Sequence, residues 1–226
     1  MFTVLMTLTD RLEDGLAVPV LVRRFDTPKL MIASGPLGGG IGLRSWVVNA
    51  TVPMSYQRND PDAHLAELAA ALDLDGPGVG FLTGVDVSER ITTADDGAEA
   101  VVTVGLGVPA WAAAPDGHLR RYRPGTINTV VRVPVRLSDA ALVNAVATVA
   151  EAKAQALFEI GFEATGTASD ALCIVCEPDG VPEAYGGPRS TWGARIARAV
   201  HAGIRDGGRA WVQSGDSWSG RNRRPQ

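Results

Sequence analysis

Three polar residues near the middle of the chain share one column. Gly125-Thr126-Ile127-Asn128 opens a run of period two that continues Thr129-Val130-Val131-Arg132-Val133-Pro134-Val135. Ile127, Thr129, Val131, Val133 and Val135 fall on one face of such a strand. Thr126, Asn128, Val130 and Arg132 fall on the other, so a hydroxyl, an amide and a guanidinium repeat in steps of about 7 Å. A strand face that polar meets solvent or a cleft. Thr126, behind a glycine at the strand head, suits a nucleophile or a group that orients water. Asn128 suits a carbonyl-polarising or oxyanion-holding group. Asp170 and Glu163, in the polar stretch Gly161–Asp170, are the candidate bases.

The flanking segments must position these groups. Leu142, Val146, Val149, Leu157 and Ile160 recur at helical spacing among alanines, predicting a helix over 138–160. Ser138 is a good N-cap, Asp139 suits the positive end, and Gly161 suits the C′ position. The apolar run Ala171–Cys176 predicts a buried strand. Cys173 and Cys176, three apart in that strand, point to opposite faces. They read as small core residues, with no metal site and no mutual disulfide.

The chain has 226 residues, 46% hydrophobic and 20% charged, with a net charge of −4. That is a globular balance with no case for nucleic acid. All but two of its 21 basic residues are Arg, a bias that gives single arginines little weight. The N-terminus lacks a basic region and a long apolar run, so a cytoplasmic location without a membrane span is expected.

The first 53 residues predict β structure: Phe2–Leu8, Val18–Phe25, Leu30–Ser34 and Ser45–Val52, broken by Gly15, Pro28 and Gly35-Pro36. The glycine-rich 35–42 stretch fits neither nucleotide fingerprint. It reads as a hairpin loop, or as backbone that lets a large ligand come close. Asp60-Pro61-Asp62 starts a helix to about Leu74, in which His64 reads as a solvated residue of the first turn. Val79–Val85 and Ala98–Gly105 predict further strands. Residues 106–124 are irregular, and their basic run Arg120-Arg121-Tyr122-Arg123 reads as a solvated loop or an anion patch. A last helix, with Trp192, Ile196, Ala199, Val200 and Ile204 buried, should end at Gly207-Gly208. Residues 1–213 make one domain and 214–226 a disordered tail. The expected class is α+β, with mostly antiparallel strands in one or two layers and the two long helices on their faces. Oligomeric state is open at this level.

An ordered set of segments resembles the adenosylcobinamide amidohydrolase family (CbiZ-type). They are Gly125–Asn128 with its strand, Leu137–Val143 through Glu151-Ala152-Lys153, and Gly166-Thr167-Ala168-Ser169-Asp170-Ala171. Leu37–Ile41, Trp46–Asn49 and Tyr185–Val200 also resemble it. The resemblance implies hydrolysis of the amide joining the aminopropanol arm to the corrin of adenosylcobinamide, in corrinoid salvage. It implies a small-molecule corrinoid substrate and no separate cofactor, since the cobalt belongs to the substrate. With that activity, Thr126, Asn128 and Asp170 are the expected catalytic residues. Gly38, Gly39, Gly40, Asn49, Arg132, Thr167, Ser169 and Tyr185 would bind substrate. A fainter likeness is to the DmpA-type aminopeptidase and ornithine acetyltransferase group, in which the residue matching Thr126 becomes an N-terminal nucleophile by self-cleavage. A corrinoid- or nucleotide-binding protein without turnover is the third expectation. It draws on the 35–42 loop and the aromatic and basic residues of 106–123.

Overall fold

The computed structural model describes residues 6–13, 15–115 and 125–214. In chain order its elements are β1 (Thr7–Glu13), β2 (Leu16–Ala33), β3 (Gly40–Thr51), α1 (Pro61–Ala71), β4 (Gly78–Thr83), β5 (Ile91–Asp95), β6 (Ala98–Val104), β7 (Pro109–Ala110), β8 (Ile127–Arg132), α2 (Asp139–Glu159), β9 (Gly166–Thr167), β10 (Ala171–Cys176) and α3 (Thr191–Ser214). The class is α+β, as the sequence predicts. Eight strands form one mixed sheet in the order β4-β3-β2-β10-β8-β6-β5, with β1 added on β2, and β7 pairs with β9 apart from it. Five pairings in the large sheet are antiparallel. The two parallel ones, β3–β4 and β8–β10, are each bridged by a helix, α1 or α2, as parallel neighbours require.

β2 belongs to both halves of this sheet. Its first half pairs with β1 and with the second half of β3, while Leu30–Ala33 pairs with β10. Between the halves, from Arg24 to Lys29, the register with β3 shifts. Pro28, which has no N–H to give a ladder, lies in that break. The sheet creases there and folds back on itself. Leu21, Val47, Val79 and Phe81 of one leaf then meet Val101, Val130 and Cys173 of the other in a shared core. α1 covers the outside of the first leaf, setting Leu65 and Leu68 against Val20, Trp46 and Val48. α2 and α3 cover the outside of the second, setting Leu142, Val149, Ile196 and Val200 against Ile127, Val131 and Ile174. The layers run helix, sheet, sheet, helix, and both long helices lie on one face rather than on two.

Several local expectations meet a correction. Val18–Phe25 and Leu30–Ser34 are two halves of one strand, because the break at Pro28 bends the ribbon without ending it. β8 stops at Arg132, since Pro134 cannot continue the ladder. Of its polar column, Thr126 and Asn128 meet a cavity, one of the two settings expected, while Val130 is in the core between the leaves. Gly207 and Gly208 do not end α3. A Cβ on Gly207 would lie 2.7 Å from a Val104 methyl, and one on Gly208 2.5 Å from Ile160. Their missing side chains let the helix sit close, which outweighs a propensity cost of about 1 kcal/mol each. Ser138 caps α2 as predicted, accepting from the Ala141 N–H at 3.1 Å. Cys173 faces the inner core and Cys176 the outer one, and both thiols are free. Residues 2–5, the basic run 120–123 and most of the predicted tail lie outside the described residues.

Candidate active site

At the head of β8 the two leaves part and leave a cavity of about 550 Å³. Thr126 and Asn128 of the second leaf line it, with Phe81–Gly84 of the first, Ser169 and Ala171 from the start of β10, and the 56–59 segment that leads into α1. Thr126 is nearly buried, and its hydroxyl oxygen lies 2.7 Å from that of the exposed Ser169. Two hydroxyls therefore meet on the cavity wall.

Asp170 fixes that meeting. One carboxylate oxygen accepts from the Ile127 N–H at 2.9 Å and from the Thr167 hydroxyl. The other accepts from the Thr167 N–H at 3.0 Å and from the Lys153 ammonium of α2. Four donors occupy the group, and it does not line the cavity. Asp170 is thus a clamp between the 166–170 loop, α2 and β8, with no lone pair left over for an attacking hydroxyl. The glycine in Gly166-Thr167 has a matching reason. A Cβ there would stand 2.3 Å from Asp170 Oδ2 and 2.6 Å from Lys153 Nζ. Gly125 is equally constrained, since a Cβ would meet the Gly107 nitrogen at 2.7 Å.

Asn128 lies beneath the hydroxyl pair. Its Nδ2 donates to the Leu82 carbonyl at 3.1 Å and to Asn49 Oδ1 at 2.9 Å. Asn49 Nδ2 donates onward to the Thr103 hydroxyl at 3.0 Å. A backbone carbonyl only accepts, so Leu82 fixes which way the Asn128 amide points. Both of its N–H groups are used, and it cannot hold an oxyanion as expected. Its Oδ1 is instead buried without a donor among the described residues.

The other expected positions fall elsewhere. Asn49 is buried behind Asn128, and Thr167 is tied to Asp170. Gly38 lines a separate hollow beside Trp46 and α1. Gly39 stays in the β2–β3 turn and Gly40 starts β3, and neither lines these two hollows. Arg132 is at the far end of β8, 3.9 Å from Glu99 and 3.8 Å from Glu177. Tyr185 is exposed on the surface. Glu163 borders a third hollow with Trp111 and Phe158.

Sequence reasoning missed another part of the wall. Tyr56 lines the cavity and stacks on His64, with ring centroids 5.4 Å apart. His64 is 5% exposed, not a solvated helix residue, and burial holds its imidazole below the ordinary range. No pattern joins Tyr56 to His64 in the sequence; only the chain entering α1 does. Burial likewise pushes both cysteine thiols up, which removes them as nucleophiles. Among the described residues no three of His, Cys, Asp and Glu gather to hold a metal. None of the described helices is long and apolar enough to cross a membrane.

The profile of the adenosylcobinamide amidohydrolase family matches residues 5–216, nearly the whole chain. The chain belongs to that family. A Methanosarcina mazei member, an adenosylcobinamide amidohydrolase, is 29% identical over 180 residues, covering 76% of this chain and 86% of its own. A Halobacterium salinarum protein of the same description is 40% identical over 146 residues, or 62% of this chain, and the match spans 60% of its length. The crystal structure of the PH0078 protein from Pyrococcus horikoshii OT3 superposes on 89% of this chain and 82% of its own, at 11% identity and a TM-score of 0.48. Segments 125–128 and 166–171, two of those whose sequence resembles the family, build the hydroxyl pair and most of its clamp.

Proposed function

We propose that this chain hydrolyses the amide joining the aminopropanol arm to the corrin ring of adenosylcobinamide. The products are adenosylcobyric acid and aminopropanol, and the step belongs to corrinoid salvage toward coenzyme B12. The observation that carries this reading is the Thr126–Ser169 hydroxyl pair on the cavity wall of a member of this family. Thr126 attacks the amide carbon, or holds the water that does, and Ser169 orients its hydroxyl. The cavity, at about 550 Å³, suits an arm rather than a whole macrocycle. The arm enters, and the ring with its adenosyl group stays at the mouth. The cobalt is cargo of the substrate, and the reading needs no resident cofactor. Incubation of the purified protein with adenosylcobinamide should yield cobyric acid by mass, and an absence of product at long times and high enzyme sinks the proposal.

One observation favours a second reading, corrinoid binding without turnover. Asp170, the acid nearest the hydroxyl pair in sequence, has every donor it can take. Tight binding of adenosylcobinamide with no product would select it.

A further inference from the structure

We propose that Tyr56, His64 and Glu13 form the proton-transfer arm of this cavity, with Tyr56 the group that touches the reacting atoms. The inference rests on the hydrolase reading above and supplies the base that reading lacks.

Tyr56 is in the cavity wall, in the segment that leads into α1. Its hydroxyl is 3.1 Å from His64 Nδ1. The other ring nitrogen, Nε2, has the Glu13 carboxylate 3.9 Å away. Glu13 is in turn held by Arg11, whose guanidinium also donates to the Thr51 carbonyl at 2.7 Å. A buried imidazole thus stands between a cavity hydroxyl and an anchored carboxylate, the order in which an acid, a base and its orienter are arranged in hydrolases.

The carboxylate beside Nε2 favours the proton on that nitrogen. Nδ1 is then an acceptor, and Tyr56 donates to it. The attacking oxygen, from Thr126 or from a water held there, bonds to the amide carbon. Its proton passes to the Tyr56 oxygen as the Tyr56 proton passes to Nδ1, and Glu13 stabilises the imidazolium. The carbon–nitrogen bond then breaks, and the proton returns by the same path to the leaving nitrogen. One O–C bond forms, one C–N bond breaks, and a single proton moves from attacker to amine. Where Thr126 attacks, a second passage with water frees the acid.

The resting imidazole must be neutral. Desolvation keeps it so, helped by the positive Arg58 and Arg11 and opposed by Glu13 and Glu67. His64 is a positioning residue here, and its variants should show in the pH profile. The other described histidine, His201, is on α3 with Glu159 and cannot take this place.

The test uses the full chain with adenosylcobinamide and two variants. Tyr56→Phe keeps the ring that stacks on His64 and removes only the hydroxyl. It should lower kcat ~100-fold or more and leave KM within about threefold. His64→Gln should lower kcat similarly and flatten the acid limb of the kcat–pH profile. Nitrogen-15 shifts of His64 in the unliganded protein should show the Nε2–H tautomer, a readout that needs no turnover. Rates within about threefold of wild type for Tyr56→Phe, or an Nδ1–H tautomer, overturn the relay and leave the hydrolase reading standing. A wild type without turnover overturns both.

Discussion

Thr126 and Ser169 are 43 residues apart in the chain and 2.7 Å apart at their hydroxyl oxygens. The contact exists because β8 and β10 are parallel neighbours, so the start of one strand lies beside the start of the other. The α2 crossover between them makes the separation in sequence long and the separation in space short.

Removing either hydroxyl should separate chemistry from folding. Thr126→Ala is expected to lower kcat ~1,000-fold, and Thr126→Ser to stay within about tenfold of wild type. Ser169→Ala should cost less, ~10–100-fold, because Ser169 orients rather than attacks. Each loses one hydrogen bond, so stability should fall by only about 1 kcal/mol. Steady-state kinetics beside a urea melt checks both halves. An intact-mass spectrum of the wild type also tests self-cleavage before Thr126, since two fragments would favour the peptidase likeness.

Asp170→Asn should behave as a structural lesion. It sets an amide NH2 against donors from Lys153, Thr167 and Ile127 and leaves at least one buried donor unpaired. A stability loss of about 2–4 kcal/mol is expected, visible as a lower midpoint in urea. Lys153→Met should lose less, and a double-mutant cycle should return strong coupling between the pair.

How much of this site was open to reading along the chain depends on distance in sequence. The strand, capped helix and buried strand of 127–176 were legible because each pattern is local: period two, period 3.6, a serine before the helix and a glycine after it. The pairing of Thr126 with the 166–170 loop was visible only as a motif likeness. The crease at Pro28 was hidden, since a proline in a valine-rich run looks like a terminator. So was the burial of His64, because its neighbours in sequence are acidic while its neighbours in space are Tyr56 and Glu13. Asn128 was legible as a polar residue facing the cleft, but its role turns on the Leu82 carbonyl, 46 residues earlier.

Gly207→Ala should destabilise the fold although alanine is the better helix former. A Cβ there would press on the Val104 side chain at 2.7 Å. The overpacking cost of about 1–3 kcal/mol exceeds a propensity gain of about 1 kcal/mol. Thermal melts of Gly207→Ala against wild type would show it as a lower midpoint.

Stability should fall as pH drops through the histidine range. His64 has a folded pKa below its usual value of 6.5, chiefly through burial. Between those two pKa values the unfolded chain binds more protons than the folded one, so protonation favours unfolding. The loss should begin near pH 6.5 and be complete once pH is under the folded value. Melting temperatures measured from pH 7.5 to 5 should decline for wild type and decline less for His64→Gln.

The crease makes the two sheet leaves resemble the covers of a half-open book whose spine is β2 with β3 running beside it. Across the fold the Leu82 carbonyl and the Asn128 amide are joined at 3.1 Å, and Asn128 is joined to Asn49 at 2.9 Å. The floor of the cavity is therefore stitched from both covers, and the wall that carries Thr126 is braced from behind.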